Sequence, residues 1–192
     1  MNRRAAPAVM VLVAAVLVVG LGSGVWVWGS SRAISDVEVA WRGAPECTGT
    51  RLEKDHHTIR AQPGMACVIT VEVHNTGRRG VQLDSAVLPY LGPGGGAVVR
   101  AGEIDGRTPI AASVADDIDA RVELDHHLDA GETWTLRTLV VFRADGCTDA
   151  GAVTFYEWPA LVVRSWGRDG TVASPQDLVV SRERQNPGCR MR

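Results

Sequence analysis

Four of the five histidines in this 192-residue chain stand in two Asp-His-His triplets, which together have the ligands of a metal site. The first triplet lies in "KDHHTI" at 54–59, and the second lies in "LDHHLD" at 124–129. Imidazole nitrogens and carboxylate oxygens both bind zinc and copper in proteins. A site that takes two histidines and two carboxylates from the two triplets is therefore chemically reasonable for either ion.

Side-chain direction along a strand decides which members of a triplet can bind the same ion. Apolar residues alternate with polar ones through the second triplet, at Ala120, Val122, Leu124 and Leu128. This alternation predicts a half-buried strand, in which His126 faces the apolar layer and His127 faces solvent. Because Asp125 and His127 share a face, the metal hypothesis pairs them with the equivalent residues of the first triplet. Those residues are Asp55 and His57, in a polar segment that we expect to be a loop or a short edge strand.

The rest of the sequence contains no recognised catalytic motif. There is no G-x-S-x-G nucleophile elbow, no H-E-x-x-H zinc helix and no phosphate-binding loop. Lys54 is the single lysine among 20 basic residues, and the formal net charge is −2. That balance lacks the basic surface that nucleic-acid binding requires. We therefore expect no enzymatic activity, no cofactor and no nucleic-acid partner.

The N-terminus carries the main localisation signal. Arg3 and Arg4 precede an uncharged, largely apolar run at 5–31, which exceeds the roughly 20 residues that a membrane-spanning helix needs. Trp26 and Trp28 lie near the end of this run, where interfacial aromatic residues are expected. These features predict a transmembrane anchor at 5–31.

The positive-inside rule gives the orientation of this anchor. We expect residues 1–4 to form a cytoplasmic tail and 33–192 to form one domain outside the cytoplasm. The alternative is a cleaved signal peptide with its cleavage site at 31–33. The apolar run is longer than the roughly 7–15 residues of a secretory signal, which favours a retained anchor.

The four cysteines are expected to form two disulfides outside the cytoplasm. An even number of cysteines in an exported domain is typical of disulfide bonding, and Cys47 with Cys67 would close a local loop. No C-x-x-C pair is present, which argues against a redox pair or a four-cysteine zinc site.

A final β-hairpin would place the other two cysteines together. The segments 152–166 and 171–182 are rich in Val, Thr and aromatic residues, and "GRDG" lies between them. A turn near Arg168–Asp169 would pair the two segments antiparallel. Cys147 and Cys189 would then face each other at the open end of the hairpin.

Period-two alternation dominates the region after the anchor. Its apolar positions are Val37, Val39 and Trp41; Cys67, Ile69, Val71 and Val73; Val81, Leu83 and Val87; and Trp134, Leu136, Val140 and Phe142. Turn residues separate these segments, and "LGPGGG" at 91–96 is expected to be a flexible connector. Seven or eight short strands without a long amphipathic helix predict an all-β, antiparallel β-sandwich.

Two stretches resemble bacterial immunoglobulin-like modules of cell-surface proteins. "TVEVHNTG" at 70–77 is similar to the V-x-V-x-N-x-G strand of such modules, and "LDAGETWTL" at 128–136 is similar to their G-E-x-x-x-L strand opening. The resemblance implies an immunoglobulin-like sandwich that binds or scaffolds outside the membrane without catalysis. It identifies no ligand, because a fold alone does not assign a function.

These observations together predict a single-pass protein of the bacterial cell membrane. Its exported domain is expected to bind or support an envelope protein or a cell-wall component. The alternative is an extracytoplasmic zinc- or copper-binding domain that uses Asp55, His57, Asp125 and His127.

Overall fold

The computed structural model describes residues 20, 23–53, 58–112, 117–146 and 151–183. Residues 23–35 form a helix, α1, and Gly20 is also helical. The strands that follow are β1 (Val37–Trp41), β2 (Glu46–Thr48), β3 (Thr58–Arg60), β4 (Ala66–Asn75), β5 (Val81–Leu88), β6 (Val99–Ile104), β7 (Ile110–Ala111), β8 (Ala120–Leu128), β9 (Thr133–Phe142), β10 (Gly151–Phe155), β11 (Ala160–Ser165), β12 (Arg168–Ala173) and β13 (Leu178–Arg182).

Two five-stranded sheets enclose the hydrophobic core. One sheet has the order β1-β4-β9-β6, with β2 also paired to β4, and the other has the order β12-β11-β5-β8-β7. A third sheet, β10-β13-β3, has three strands, and its β13–β3 pair is parallel. All other strand pairs are antiparallel, so the predicted all-β sandwich is confirmed. The strand segments outnumber the seven or eight that the alternation predicts.

The predicted alternation is correct in β4 and β9, the two long central strands. Cys67, Ile69, Val71 and Val73 of β4 are at most 1% exposed. They face the core because β-branched and aliphatic side chains recur at every second position of the strand. The polar Thr138 of β9 is also buried, and its Oγ1 donates a hydrogen bond to the Ile69 carbonyl at 3.0 Å.

The predicted face of β5 is wrong in its second half. Val81 and Leu83 are buried as expected, but Val87 is half-buried while Ala86 and Leu88 are fully buried. Against β11, Val163 pairs with Leu83 and Val162 pairs with Ser85, so β5 carries one extra residue here; the pairing of β5 with β8 also shifts register at this point. A β-bulge of this kind inserts one residue and exchanges the faces beyond it.

The final hairpin forms, with its turn two residues earlier than predicted. Ser165 pairs with Arg168, so Trp166 and Gly167 make the turn. Both turn residues have positive φ, 50° and 76°, as a two-residue hairpin turn of type I′ requires. The predicted turn residues Arg168 and Asp169 instead begin β12, and β10 pairs with β13 to extend the hairpin.

The glycine-rich segment at 91–96 is held in place, in contrast to the flexible connector expected from its composition. The Gly92 N–H donates to the Ile118 carbonyl at 2.7 Å, and the Gly94 N–H donates to the Asp117 carbonyl at 2.9 Å. A Cβ on Gly92 would lie 2.4 Å from that Asp117 oxygen, so only glycine allows this approach. The buried guanidinium of Arg143 also donates to the Gly92 carbonyl. Burial lowers the pKa of Arg143, and nearby Asp145 opposes that shift.

Cys47 and Cys67 form the predicted disulfide, which joins opposite residues of β2 and β4. Cys147 and Cys189 lie outside the described residues. Their disulfide therefore stays a prediction.

The predicted anchor at 5–31 is described only at residues 20 and 23–31. Among the residues with described positions, no helix is both long enough and apolar enough to cross a membrane. The predicted domain start at residue 33 stays a prediction; that position lies inside α1, which continues to residue 35. The Asp36 N–H donates to the Arg32 carbonyl at 3.0 Å in the last turn of the helix.

Candidate functional site

The second Asp-His-His triplet lies on β8, and its histidines point in the predicted directions. His126 points between the two large sheets, where its ring stacks on Trp134 of β9 with centroids 4.7 Å apart and 20° between the planes. The buried His126 Nε2 makes no hydrogen bond to the described residues. His127 is exposed. The two neighbouring imidazoles therefore cannot bind one ion together.

Asp125 and His127 are exposed on the outer face of β8, and each contacts a neighbouring side chain. Asp125 has a φ of 46° at the bulge, and its Oδ1 accepts a hydrogen bond from Gln82 Nε2 at 3.0 Å. His127 Nε2 lies 3.4 Å from Asp129 Oδ1. Contacts with neighbouring polar side chains therefore explain the orientations of both Asp125 and His127.

Asp55 and His57 of the first triplet lie outside the described residues. Their described neighbours are Glu53 and Thr58, and the Glu53 N–H donates to the Thr58 carbonyl at 2.9 Å. Thr58 begins β3 in the three-stranded sheet, whereas β8 belongs to a different sheet. Over the described ranges, no three His, Cys, Asp or Glu side chains come together to hold a metal ion. The four-residue metal site stays a prediction, which calorimetric titration of the full chain with zinc and copper tests.

A second site lies where α1 packs on the sandwich. Ser30 and Ala33 of α1 are buried, and Ile34 packs against the core. Ile34 Cγ2 would lie 3.0 Å from a Cβ placed on Gly170 of β12. Small residues on both surfaces therefore allow the helix and the strand to approach closely.

Trp166, at the tip of the β11–β12 hairpin, lies against both α1 and the turn between β4 and β5. A Cβ on Gly29 would lie 2.9 Å from Trp166 Cζ3, so glycine leaves the space that the indole occupies. The guanidinium of Arg79 lies 4.1 Å from the centroid of the Trp166 ring. This distance is within the range of cation–π attraction.

Two further indoles at this junction also have arginine partners. Trp26 donates from Nε1 to the Trp166 carbonyl at 3.0 Å, and the Arg168 guanidinium lies 5.9 Å from the Trp26 ring centroid. Trp28 has Arg32 at 5.4 Å from its ring centroid. We refer to these six residues as the Trp–Arg cluster: Trp26, Trp28, Trp166, Arg32, Arg79 and Arg168.

A cleft of about 520 Å³ opens between α1 and the β4–β5 turn. The basic residues that line it are Arg32, Arg78 and Arg79, and Asp36 is the acidic residue that lines it. Trp28 and Trp166 contribute apolar walls. An amphipathic surface of this kind combines binding of apolar groups with attraction for anions.

The sequence singled out Trp26 and Trp28 as interfacial residues, which stays a prediction, but it did not identify the residues that contact them here. Trp166, Arg79 and Arg168 come from turns far away in the chain, and only the sheet topology brings them to α1. The one sequence feature that could have indicated this site is Trp166, a bulky residue directly before Gly167 in a tight turn. Such a position normally favours Asn, Asp or Gly.

Comparisons with known proteins assign no family to the chain. No known family matches it, and no curated protein matches it. Similar solved structures include the structural-genomics target SoR45, with a TM-score of 0.38 at 9% identity over 82% of this chain and 92% of that chain.

Two other similar structures are β-sandwich domains. PapD-like domain 7 of human CEP192 has a TM-score of 0.32 at 13% identity over 78% of this chain and 84% of that chain. The carbohydrate-binding module CBM3b of Clostridium thermocellum cellobiohydrolase 9A has a TM-score of 0.35 at 13% identity over 73% and 98%. At these scores and identities the likenesses assign neither a strand order nor a function.

Proposed function

We propose that the protein is a membrane-tethered module of the bacterial cell envelope that binds or scaffolds a partner without catalysis. Residues 5–31 would span the membrane, and the immunoglobulin-like sandwich would lie outside the cytoplasm. The partner would be an envelope protein or a cell-wall component. The proposal gives the sandwich the role of a binding surface at a set distance from the bilayer.

The observation that carries the proposal is the packing of α1 on the sandwich. Ser30 and Ala33 of α1 are buried and the partly buried Ile34 packs against the core, at the end of the uncharged run. A tether that ended in a flexible linker would contain polar, Gly- or Pro-rich residues instead. The Cys47–Cys67 disulfide adds support, because disulfides persist mainly outside the cytosol.

Fractionation of bacteria that express the full chain tests the tether. Alkaline carbonate washing is expected to leave the protein in the membrane pellet, and a C-terminal alkaline phosphatase fusion is expected to be active. The double substitution Leu12→Arg and Val16→Arg should release the protein, since each arginine at a bilayer centre costs about 2.5–3.5 kcal/mol. The matched double substitution to alanine should stay in the pellet. Recovery of the unaltered chain in the soluble fraction would contradict the tether.

Partner binding is tested separately, by photo-crosslinking in living cells. A photoreactive amino acid replaces Glu123 on the outer face of β8 or Thr135 on the outer face of β9, both of which are exposed. A binding module should give a discrete crosslinked product from one sheet and not from the other. Absence of any product from both sheets opposes a binding role.

A further inference from the structure

The exposed apolar side chains at the junction form one surface. Val25, Trp26, Val27 and Trp28 of α1 are 43–66% exposed, and Trp166 of the hairpin is 48% exposed. Trp26 and Trp166 are joined by a hydrogen bond, so the helix and the hairpin present their indoles together. An exposed patch of large apolar residues marks a site of interaction.

Positive charge surrounds this patch. Arg32 and Arg79 are exposed, and Arg168 is half-buried with its Nη1 donating to the Val27 carbonyl at 3.3 Å. Arg78 adds a fourth guanidinium in the same turn as Arg79. No ion pair between described residues joins any of these arginines to a carboxylate. Their charge therefore remains available to an external anion.

The hairpin holds Trp166 in an unfavourable backbone conformation. Its φ of 50° is uncommon for a bulky residue, and strain of this kind costs on the order of 1 kcal/mol. An Asn or Gly would form the same turn without strain. The strained position sets the indole against Gly29 and Arg79. Residues held under strain concentrate at functional sites.

Indole and guanidinium groups together match the interface of an anionic bilayer. Tryptophan concentrates at the headgroup level of membranes, and arginine binds phosphate with a planar, two-pronged donor geometry. The cluster also lies at the end of the uncharged run, where a membrane-inserted chain emerges from the apolar layer. Lipid phosphates would therefore come within reach of the guanidinium groups.

We propose that the Trp–Arg cluster binds the phosphate headgroups of anionic phospholipids and thereby holds the sandwich in one orientation on the bilayer. This inference rests on the proposed membrane tether. It adds a ligand class, phosphodiester headgroups, and a role for residues from three separate parts of the chain.

Hydrogen–deuterium exchange of the full chain in lipid nanodiscs tests the inference. Discs of phosphatidylglycerol are compared with discs of phosphatidylcholine, and exchange is followed at 76–80 and 166–170. Exchange in the anionic discs is expected to be at least about fivefold slower, the effect of a single basic residue at an anionic surface. The readout is the difference between the two lipids, which packing of α1 alone would not produce.

Substitution variants identify the groups responsible. The triple substitution Arg32→Gln, Arg79→Gln and Arg168→Gln, which removes every guanidinium of the Trp–Arg cluster, should abolish the lipid difference. The double substitution Arg100→Gln and Arg137→Gln, at exposed residues of β6 and β9, should retain it. Exchange in β4 and β9 should stay as slow in each variant as in the unaltered chain, which shows that loss of the lipid difference does not come from a general loss of stability.

Three results overturn the lipid assignment. The first is equal exchange in both lipids, and the second is a lipid difference that persists in the triple variant. Slow exchange that requires native membranes and is absent from pure lipid discs indicates a protein partner and also overturns it. In these cases incorporation into the discs still leaves the tether standing. Failure of the full chain to incorporate removes the tether and this inference together.

Discussion

At the residue scale, Asn75 joins the β4–β5 turn to the β8–β9 turn. Its side chain is fully buried, and its Nδ2 donates to the Arg79 carbonyl at 2.8 Å and to the Asp129 carbonyl at 3.0 Å. Its Oδ1 accepts a hydrogen bond from the Gly77 N–H at 3.0 Å. An apolar residue of the same size would leave these backbone groups without their partner.

The backbone of Asn75 connects the two stretches that resemble immunoglobulin-like modules. Its N–H donates to the Glu132 carbonyl at 3.0 Å, and its carbonyl accepts from the Gly131 N–H at 2.8 Å. Glu132 Oε2 in turn accepts a hydrogen bond from the Asp129 N–H at 2.7 Å. The N-x-G and G-E patterns are therefore two halves of one hydrogen-bonded corner.

Asn75→Ala is expected to lower the free energy of unfolding by about 3 kcal/mol, because several backbone groups lose their buried partner together. Urea denaturation of the full chain in detergent measures the change. Thr135→Ala, at an exposed position of β9, serves as the control and should change stability by less than about 0.5 kcal/mol. Equal effects of the two substitutions would contradict the role of Asn75.

His126→Phe is expected to leave stability unchanged or raise it by about 1 kcal/mol, since phenylalanine keeps the ring stack and removes a buried nitrogen without a partner. This expectation rests on the stacking of His126 on Trp134 and on the buried His126 Nε2, which has no hydrogen-bond partner among the described residues. His126→Ala should instead cost about 2 kcal/mol by removing the stacked ring. Thermal unfolding compares the two variants, and a larger loss for phenylalanine than for alanine would refute the structural role.

At the scale of elements, sequence periodicity predicted those strands whose inner face is uniformly apolar. β4 and β9 follow period two through most of their length, so the sequence alone predicted which of their side chains are buried. The face of β5 was predicted wrongly beyond Leu83, because its extra residue is defined only by pairing with the distant strand β11. β6 lacks a clean alternation, and its position beside β9 depends on a contact between distant segments. Long-range pairing is the information that a local pattern does not contain.

In the candidate site too, local sequence patterns indicate some residues, and long-range pairing brings in the others. Trp26 and Trp28 were predictable, because they are near the end of a continuous apolar run. Arg79 and Trp166 are separated by most of the sandwich in sequence, and each lies in a turn. Their contact follows from the antiparallel sheets that bring the β4–β5 and β11–β12 turns to the same end.

The Arg164–Asp169 ion pair connects the two strands behind the Trp166 turn. Arg164 Nε donates to Asp169 Oδ1 at 2.6 Å across opposite positions of β11 and β12. Hydrogen bonding to Arg164 lowers the pKa of the Asp169 carboxyl below its ordinary value of 3.8, and Asp169 raises the pKa of Arg164. Both groups are solvent-exposed, so salt screens their attraction.

The depressed pKa of Asp169 predicts the sign of a pH effect on the hairpin. The stabilisation is present above the ordinary pKa of 3.8 and is lost as pH falls through the lower folded-state pKa. Asp169→Asn should therefore speed amide exchange at 165–168 near neutral pH, and the difference from the unaltered chain should shrink in acid. Glu38→Gln, at an exposed position of β1, should leave amide exchange at 165–168 unchanged both near neutral pH and in acid. A difference that grows in acid would contradict the assigned pair.

At the scale of the whole molecule, α1 and the sandwich share one packed interface. The buried face of α1 includes Ser30 and Ala33, and Trp166 covers Gly29 beside them. The orientation of the helix is therefore coupled to the β11–β12 hairpin. A substitution that separates α1 from the β11–β12 hairpin should raise amide exchange in both elements without altering the core between the large sheets.

Gly29→Leu is expected to separate α1 from the hairpin, because even a Cβ at this position would lie 2.9 Å from the Trp166 ring. Amide exchange at 29–36 and 166–170 should rise about tenfold, which corresponds to about 1.4 kcal/mol within the usual cost of overpacking. Exchange in β4 and β9 should stay unchanged. Gly24→Leu is the matched control, since a Cβ there meets nothing within 4 Å, and it should leave exchange in both segments unaltered. Equal behaviour of the two leucine variants would show that Trp166 does not hold the helix on the sandwich.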